Sequence, residues 1–378
     1  MNEKTNKIHK LIFISIFLLI IILPLIFFSN GSGEFSSVEN RNLAVKPKVI
    51  YQDKSINYNF YKEFENWVND HIGLRTQMLQ FNTILNHKIF NVSPTDKVIF
   101  GENDFLFYTL EDNLKIPMQY YNENNMELES ISNNLIGIQE KLKKENIKLM
   151  LVLTPSKASV YPEYLPGKNF VTGETQIDIL EKYLNNNTNI PIVNTKTPLL
   201  EQKNNDEKLL YSKQDTHWND YGSYIAYKAI IDTLFNENII NSNNYVIPSF
   251  QYEEKYGDLA KMSYLFNLFK TEKVPVLTQI ENSKAKEVDK NILFNVENNN
   301  NYKSFVNKNN MLGNVLIYGD SFMYLFKIPN LLAEHFNTVN LVPNFNLDME
   351  VINKTQPNLL ILGITERNIN KIVDIKIS

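Results

Sequence analysis

The 378-residue chain has no cysteine. This excludes disulfide scaffolds, thiol nucleophiles and cysteine-held zinc. It is compatible with an extracytoplasmic bacterial protein without requiring one. Strong charge is also missing. A net charge of -4 and a pI near 5.9 give nucleic-acid binding no electrostatic support. No internal repeat is visible. Histidine is scarce, with five in the whole chain, so imidazole chemistry has few places to sit.

A hydrophobic fraction of 43% and an aromatic fraction of 12% suit a globular core. The length fits one large domain, or one domain with additions. Leu11 to Phe28 is an uncharged apolar run broken only by Ser15 and Pro24, just long enough to span a bilayer. Lys4, Lys7 and Lys10 precede it, so the positive-inside rule leaves the short tail in the cytoplasm and the rest of the chain outside. A cleaved signal peptide is the alternative. The small residues after the run lack a clear A-x-A site, which favours a retained anchor. The expected organisation is a cytoplasmic tail at 1–10, a transmembrane anchor at 11–28, a linker at 29–55 and a catalytic domain at 56–378. A polar insertion is expected near 241–312.

Apolar residues recur at helical spacing from Asn57 to Phe90. A hairpin follows, with its turn at Gly101 to Asp104. Met126 to Asn146 reads as a helix. An alternation then begins. Strands are expected at Ile147–Leu153, Ile190–Val193, Val315–Tyr318, Val339–Val342 and Asn358–Ile364. Helices are expected at Glu174–Leu184, Tyr221–Phe235 and Met323–Phe336. This pattern predicts an α/β fold whose mostly parallel sheet is flanked by helices. Sites in such sheets lie at the strands' C-terminal ends. The alternation breaks between 241 and 312, where the asparagine run Asn298–Asn301 reads as part of a mobile loop or hairpin over the sheet.

Gly319-Asp320-Ser321-Phe322 sits where an expected strand turns into a helix. Such a turn presents a serine hydroxyl beside free N–H groups that can face an oxyanion. An N-cap at Asp320 or Ser321 is the bland alternative. His217 follows Asp215 at two-residue spacing in an apparent loop. His9 falls in the tail, and His71, His87 and His335 fall in expected helices. Asp215, His217 and Ser321 thus supply an orienting carboxylate, a base and a nucleophile. Competing readings are a helix start capped by Asp215 or Asn219, and a metal site lacking an evident third ligand. No metal or cofactor is expected. Trp218 reads as a packing wall. Asp70, His71 and Arg75 read as a structural network. Lys157, just past a strand, is expected to meet a backbone carbonyl rather than an anionic substrate.

Asp215-Thr216-His217-Trp218 with Gly319-Asp320-Ser321-Phe322 resembles the SGNH-hydrolase-like domain of the alginate O-acetyltransferase family (AlgX/AlgJ), including the DHHW proteins. Further segments fit in order: Glu39 to Leu43, Asn69 to Arg75, Val98 to Gly101, Leu106 to Tyr108, Pro155-Ser156-Lys157 with Tyr161-Pro162, Gly257-Asp258-Leu259, and Glu366-Arg367. The resemblance implies an SGNH-like sheet and an acetyl transfer to polysaccharide hydroxyls by Asp215, His217 and Ser321. It also implies an MBOAT-type membrane acyltransferase as acetyl supplier. The Asp-His pair precedes the serine, the reverse of ordinary SGNH hydrolases, and their oxyanion-hole asparagine has no counterpart here. No C-terminal carbohydrate-binding module is expected. A carbohydrate esterase with the same triad, and a non-catalytic scaffold of a polysaccharide export complex, are the alternatives.

Overall fold

The computed structural model describes residues 3–36, 41–51, 53–90, 97–109, 127–166, 174–263, 270–289, 301–309 and 312–377. Glu39, Asn40, Met126, Asn298 to Asn300 and Asn310 lie outside them. The chain divides into two compact units. One is Met1–Val98 with Ala260–Lys270, and the other is Ile99–Leu259 with Thr271–Ser378. The expected boundary at residue 56 falls inside the first.

The first unit begins with a helix at Glu3–Ile26. Its Lys7–Ile26 stretch is long and apolar enough to cross a membrane. Short strands at Phe35–Ser36 (β1) and Arg41–Asn42 (β2) pair antiparallel. The region expected to be helical from Asn57 to Phe90 is two helices, Phe60–His71 and Arg75–Phe90. The break is Ile72-Gly73-Leu74, where Leu74 takes a left-handed φ of 57° that no helix continues. His71 and Arg75 therefore do not share one helix. The network reading holds for Asp70 and Arg75 but leaves His71 out. Arg41 donates to both Asp70 carboxylate oxygens, at 2.9 and 2.6 Å, and Arg75 stands 4.0 Å away. The Arg41 hydrogen bond leads the causes that hold Asp70 well below the usual carboxylate range. His71 donates from Nδ1 to the Trp67 carbonyl.

Strands β3 (Val98–Phe100) and β4 (Leu106–Tyr108) form the expected hairpin. Next along the chain are β5 (Lys148–Thr154), β6 (Ile192–Asn194), β7 (Pro248–Lys255), β8 (Glu272–Ile280), β9 (Lys286–Glu287) and β10 (Lys303–Val306). The last three are β11 (Asn314–Gly319), β12 (Thr338–Val342) and β13 (Leu359–Thr365). Seven of these make one sheet in the order β6-β5-β13-β11-β12-β10-β9. Its first five strands run parallel, and β10 and β9 add antiparallel. The expected α/β class with a mostly parallel sheet is what forms.

Residues two apart share a sheet face, so each inner strand feeds two cores. Met150, Val152, Val315, Ile317, Leu359 and Ile361 face one core with Ile225, Ile230 and Leu234 of the helix Asp220–Asn236. Leu149, Leu151, Leu316, Leu360 and Leu362 face the other with Leu135 and Ile138 of the helix Leu128–Lys144. Burial on both sides explains why these strands read as continuous apolar runs.

Two expectations need correction. The helix expected over Met323–Phe336 is two short ones, Ser321–Tyr324 and Ile328–Ala333. Pro329 has no N–H to continue a helix and sits in the first turn of the second. The polar insertion is not merely a loop or hairpin over the sheet. β7 and β8 do form a hairpin, but Lys303–Val306 is a strand of the main sheet, paired along its length with β12.

Candidate active site

The parallel strands β5, β13 and β11 are adjacent, and the candidate side chains gather beyond their C-terminal ends. β11 stops at Gly319, Asp320 is extended, and a helical turn starts at Ser321. Gly319 stands in register with Gly363 on β13. A Cβ on either would come 2.6 or 2.4 Å from Met323 Cγ. Glycine at both positions lets Met323 fold back onto the sheet edge, so the turn is tight enough to project Ser321 outward. Ser321 remains half-exposed. Its N–H has no hydrogen-bond partner among the described residues.

Asp320 is the N-cap, as the bland alternative held. One carboxylate oxygen accepts from Phe322 N–H at 3.2 Å. Capping by Asp320 leaves the Ser321 hydroxyl uncommitted, so the two readings coexist.

His217 arrives on the loop before the helix Asp220–Asn236, whose N-cap is Asn219. The imidazole bridges the two candidate partners. Nε2 lies 2.7 Å from Ser321 Oγ, and Nδ1 lies 2.8 Å from Asp215 Oδ1. A carboxylate on Nδ1 fixes the tautomer that leaves Nε2 free to accept the serine proton. The imidazole packs against Phe322, with ring centroids 4.9 Å apart. Trp218 is buried edge-on against Phe322, a wall as expected.

Asp215 is itself held. Oδ1 also accepts from His217 N–H at 3.0 Å, and Oδ2 accepts from Asp258 N–H at 3.1 Å. Burial pushes this carboxyl up. The His217 hydrogen bond and charge, with the two backbone N–H groups, outweigh burial and hold it well below the usual range.

Asp258 escaped sequence reasoning as a site residue. It accepts from Thr216 N–H at 2.7 Å and Thr216 Oγ1 at 2.8 Å, and its Oδ2 stands 3.7 Å from His217 Nδ1. Burial first, then the neighbouring Asp215, pushes its carboxyl up. Its sole signal was the short Gly257-Asp258-Leu259 match, with nothing in the spacing to tie it to Asp215. A third metal-ligating group is thus present: the ligand atoms of Asp215, His217 and Asp258 lie within 4.8 Å of one another. Yet all four carboxylate oxygens already accept hydrogen bonds from the protein. These bonds hold both carboxylates in place around the imidazole, with Nε2 directed at Ser321 Oγ.

Lys157 meets backbone carbonyls, as expected, and lines a small cavity with Tyr108, Thr216 and Arg367. The Arg367 guanidinium lies 5.5 Å from the Phe322 ring centroid and 5.8 Å from that of Tyr108.

The family model for the SGNH hydrolase-like domain of acetyltransferase AlgX matches residues 98–303. The chain belongs to this family. The matched span contains Lys157, Asp215, His217 and Asp258, and Ser321 lies beyond it. Two relatives are similar over part of their length. A probable alginate O-acetylase AlgJ of Pseudomonas fluorescens is 25% identical over 193 residues, covering 49% of this chain and 45% of the relative. Its counterpart from Azotobacter vinelandii is 26% identical over 181 residues, covering 46% and 43%. The chain therefore spans about half the length of the curated relatives it matches. Among solved structures, Bacillus cereus PatB1 superposes with a TM-score of 0.53 at 14% identity, covering 74% of this chain and 99% of that one. At that identity the likeness concerns the fold alone.

Proposed function

We propose that this family member is an extracytoplasmic O-acetyltransferase, acting on a cell-surface or exported polysaccharide through an acetyl-enzyme on Ser321. The observation that carries the reading is the imidazole of His217, held between Asp215 and Ser321 at 2.8 and 2.7 Å. AlgJ relatives described as probable alginate O-acetylases support the transfer class.

In the first half-reaction Ser321 Oγ attacks the acetyl carbonyl, and its proton passes to His217 Nε2. Asp215 stabilises the imidazolium that forms. The carbonyl oxygen becomes an oxyanion facing the Ser321 N–H. Collapse breaks the bond to the donor's leaving group, which takes the proton from Nε2. In the second half a sugar hydroxyl gives its proton to Nε2 and attacks the acetyl-serine. Collapse returns that proton to Ser321 Oγ and releases the acetylated sugar. The helix Glu3–Ile26 anchors the chain, with the catalytic domain outside the cytoplasm. Acetyl-CoA is not expected there, so a membrane acyltransferase of the MBOAT type supplies the acetyl group.

The test is acetate release from a nitrophenyl acetate, run beside mass spectrometry of an offered oligosaccharide. Ser321→Ala and His217→Ala each lose about 10³-fold or more in kcat/KM, and Asp215→Asn an equal or smaller factor, far from additively. Chelator leaves the parent unchanged. A fully active Ser321→Ala removes the serine from the mechanism, and activity lost to EDTA and restored by zinc replaces the triad with a metal site. Hydrolysis without transfer to any glycan makes the protein an esterase.

A further inference from the structure

Lys157 lies just beyond the C-terminal end of β5 and is 4% exposed. An ammonium has three N–H donors and no acceptor. Here Nζ lies 3.1 Å from the Ser212 carbonyl, 2.8 Å from that of Lys213 and 2.6 Å from that of Asp215. Every donor is used, and all three acceptors belong to the loop that carries Asp215. From β8, the Glu272 carboxylate accepts from Lys213 N–H at 2.6 Å and Gln214 N–H at 3.0 Å. The loop is gripped at its carbonyls by a cation and at its amides by an anion. The turn bearing Lys157 is held in its place by buried Glu366, just past β13, which accepts from Ser156 N–H at 3.0 Å and Ser159 Oγ at 2.6 Å.

We propose that Lys157 is the positioning residue that fixes the Asp215–His217 loop against the sheet, and that loss of its proton sets the alkaline limit of activity. This rests on the triad reading above. A neutral amine keeps two N–H donors and gains a lone pair. The lone pair cannot face a carbonyl oxygen, so one of the three grips is lost. Asp215 then shifts beneath the imidazole, and a misplacement of about 1 Å costs roughly 10²-fold in rate.

The groups facing Nζ set where this happens. Burial comes first and lowers the ammonium to about 8, against the carboxylates of Asp215, Asp258 and Glu272, which favour the cation. The Phe105 and Phe107 rings stand 5.9 and 5.4 Å away, and Arg367 shares the cavity. Burial pushes the nearby phenols of Tyr161 and Tyr211 above their ordinary value, so they stay neutral in this window. The sign for stability runs opposite to that for activity. Because the folded value lies below the unfolded one, about 10.4, the folded protein loses this proton first. The Lys157 contribution to stability rises from about pH 8 upward while activity falls. An alkaline activity loss of this origin is therefore not unfolding.

The experiment measures kcat/KM for nitrophenyl acetate from pH 6 to 9.5, corrected for spontaneous hydrolysis, with thermal melts at each pH. It compares the parent, Lys157→Met and Lys157→Arg. The parent falls at least about five-fold above pH 8 without a matching drop in melting temperature. Lys157→Met is at least about ten-fold slower at pH 7 and lacks the alkaline limb, because nothing titrates there. Lys157→Arg keeps a cation, so it also lacks the limb and is faster than Lys157→Met. A parent flat to pH 9.5 overturns the proposal without need of any variant, and so does a limb that survives in Lys157→Met. If Lys157→Met does not fold, a limb unchanged in Lys157→Arg overturns it instead. A flat parent profile beside an inactive Ser321→Ala sinks this inference and leaves the triad standing.

Discussion

Asp320 and Thr365 tie the serine turn to the neighbouring strand. One Asp320 oxygen accepts both the N–H and the hydroxyl of Thr365, at 2.9 and 2.5 Å, and the Asn368 side-chain amide at 2.9 Å. The other oxygen caps Phe322 N–H. A single carboxylate therefore satisfies four donors at the C-terminal ends of β11 and β13, and the residue after it is the candidate nucleophile.

Asp320→Ala leaves those donors without their acceptor. Loss of a cap costs about 1 kcal/mol, and an unmet buried donor about 1–3 more. The expected destabilisation is about 2–4 kcal/mol, measured by urea unfolding, with kcat/KM falling in the fraction that stays folded. Asp320→Asn puts an amide where donors already point, so it recovers less than half of the loss. Unfolding midpoints equal to the parent's would refute the anchoring role.

Gly257 supplies a second test, because here the constraint is backbone against backbone. A Cβ at this position would lie 2.1 Å from the Gln214 carbonyl oxygen and 2.5 Å from Asp215 N. Neither atom belongs to a flexible side chain that can swing aside. Gly257→Ala must push the 214–215 segment, and with it Asp215, away from His217. Overpacking of this kind costs about 1–3 kcal/mol. The displacement lowers kcat/KM by about 10²-fold. Full activity with an unchanged melting temperature means the loop can yield, and Gly257 then has no positioning role.

Much of this arrangement was legible in the sequence, and the physical reasons differ by residue. β5, β11 and β13 are buried on both faces, so they stand out as apolar runs. Asp215 and His217 are two residues apart and carry their own mutual geometry. Ser321 is marked by a strand-to-helix turn. Asp258 and Glu272 were not legible as site residues. Their roles come from reaching back to the Asp215 loop across forty or more residues of chain, and no local period encodes that. β10 was missed for another reason. Lys303-Ser304-Phe305-Val306 lies beside an asparagine-rich stretch, and a four-residue strand has too few apolar residues to outweigh polar flanks. The turn at Ile72-Gly73-Leu74 hid because apolar spacing continues across it.

The N-terminal helix Glu3–Ile26 allows a test on cells. Its Lys7–Ile26 stretch has a mean hydropathy of 2.6, and Lys7 and Lys10 stand at its start. Such a segment partitions into a bilayer with its basic end inside. The protein stays in the membrane pellet after a high-salt wash and enters the supernatant with detergent. Protease added to intact cells or spheroplasts digests the region after residue 30. Recovery in the soluble cytoplasmic fraction contradicts the anchor, and recovery in the medium with the first residues missing identifies a cleaved leader.

The last prediction concerns the segment 301–309, whose composition suggests a dispensable loop. Phe305 is 2% exposed and packs in the core beneath the sheet face. Ser304 donates to Asn340 on β12 at 2.6 Å, and Asn307, also buried, donates to the Ala333 and Glu334 carbonyls. These are attachments of a structural strand, so trimming here damages the fold before it damages any acceptor groove. Phe305→Ala is expected to cost about 3–5 kcal/mol. Acetate release and glycan acetylation should then fall in parallel, because both follow the folded fraction. A selective loss of glycan transfer, with ester hydrolysis and melting temperature kept, would refute this structural role and point to a part in acceptor binding.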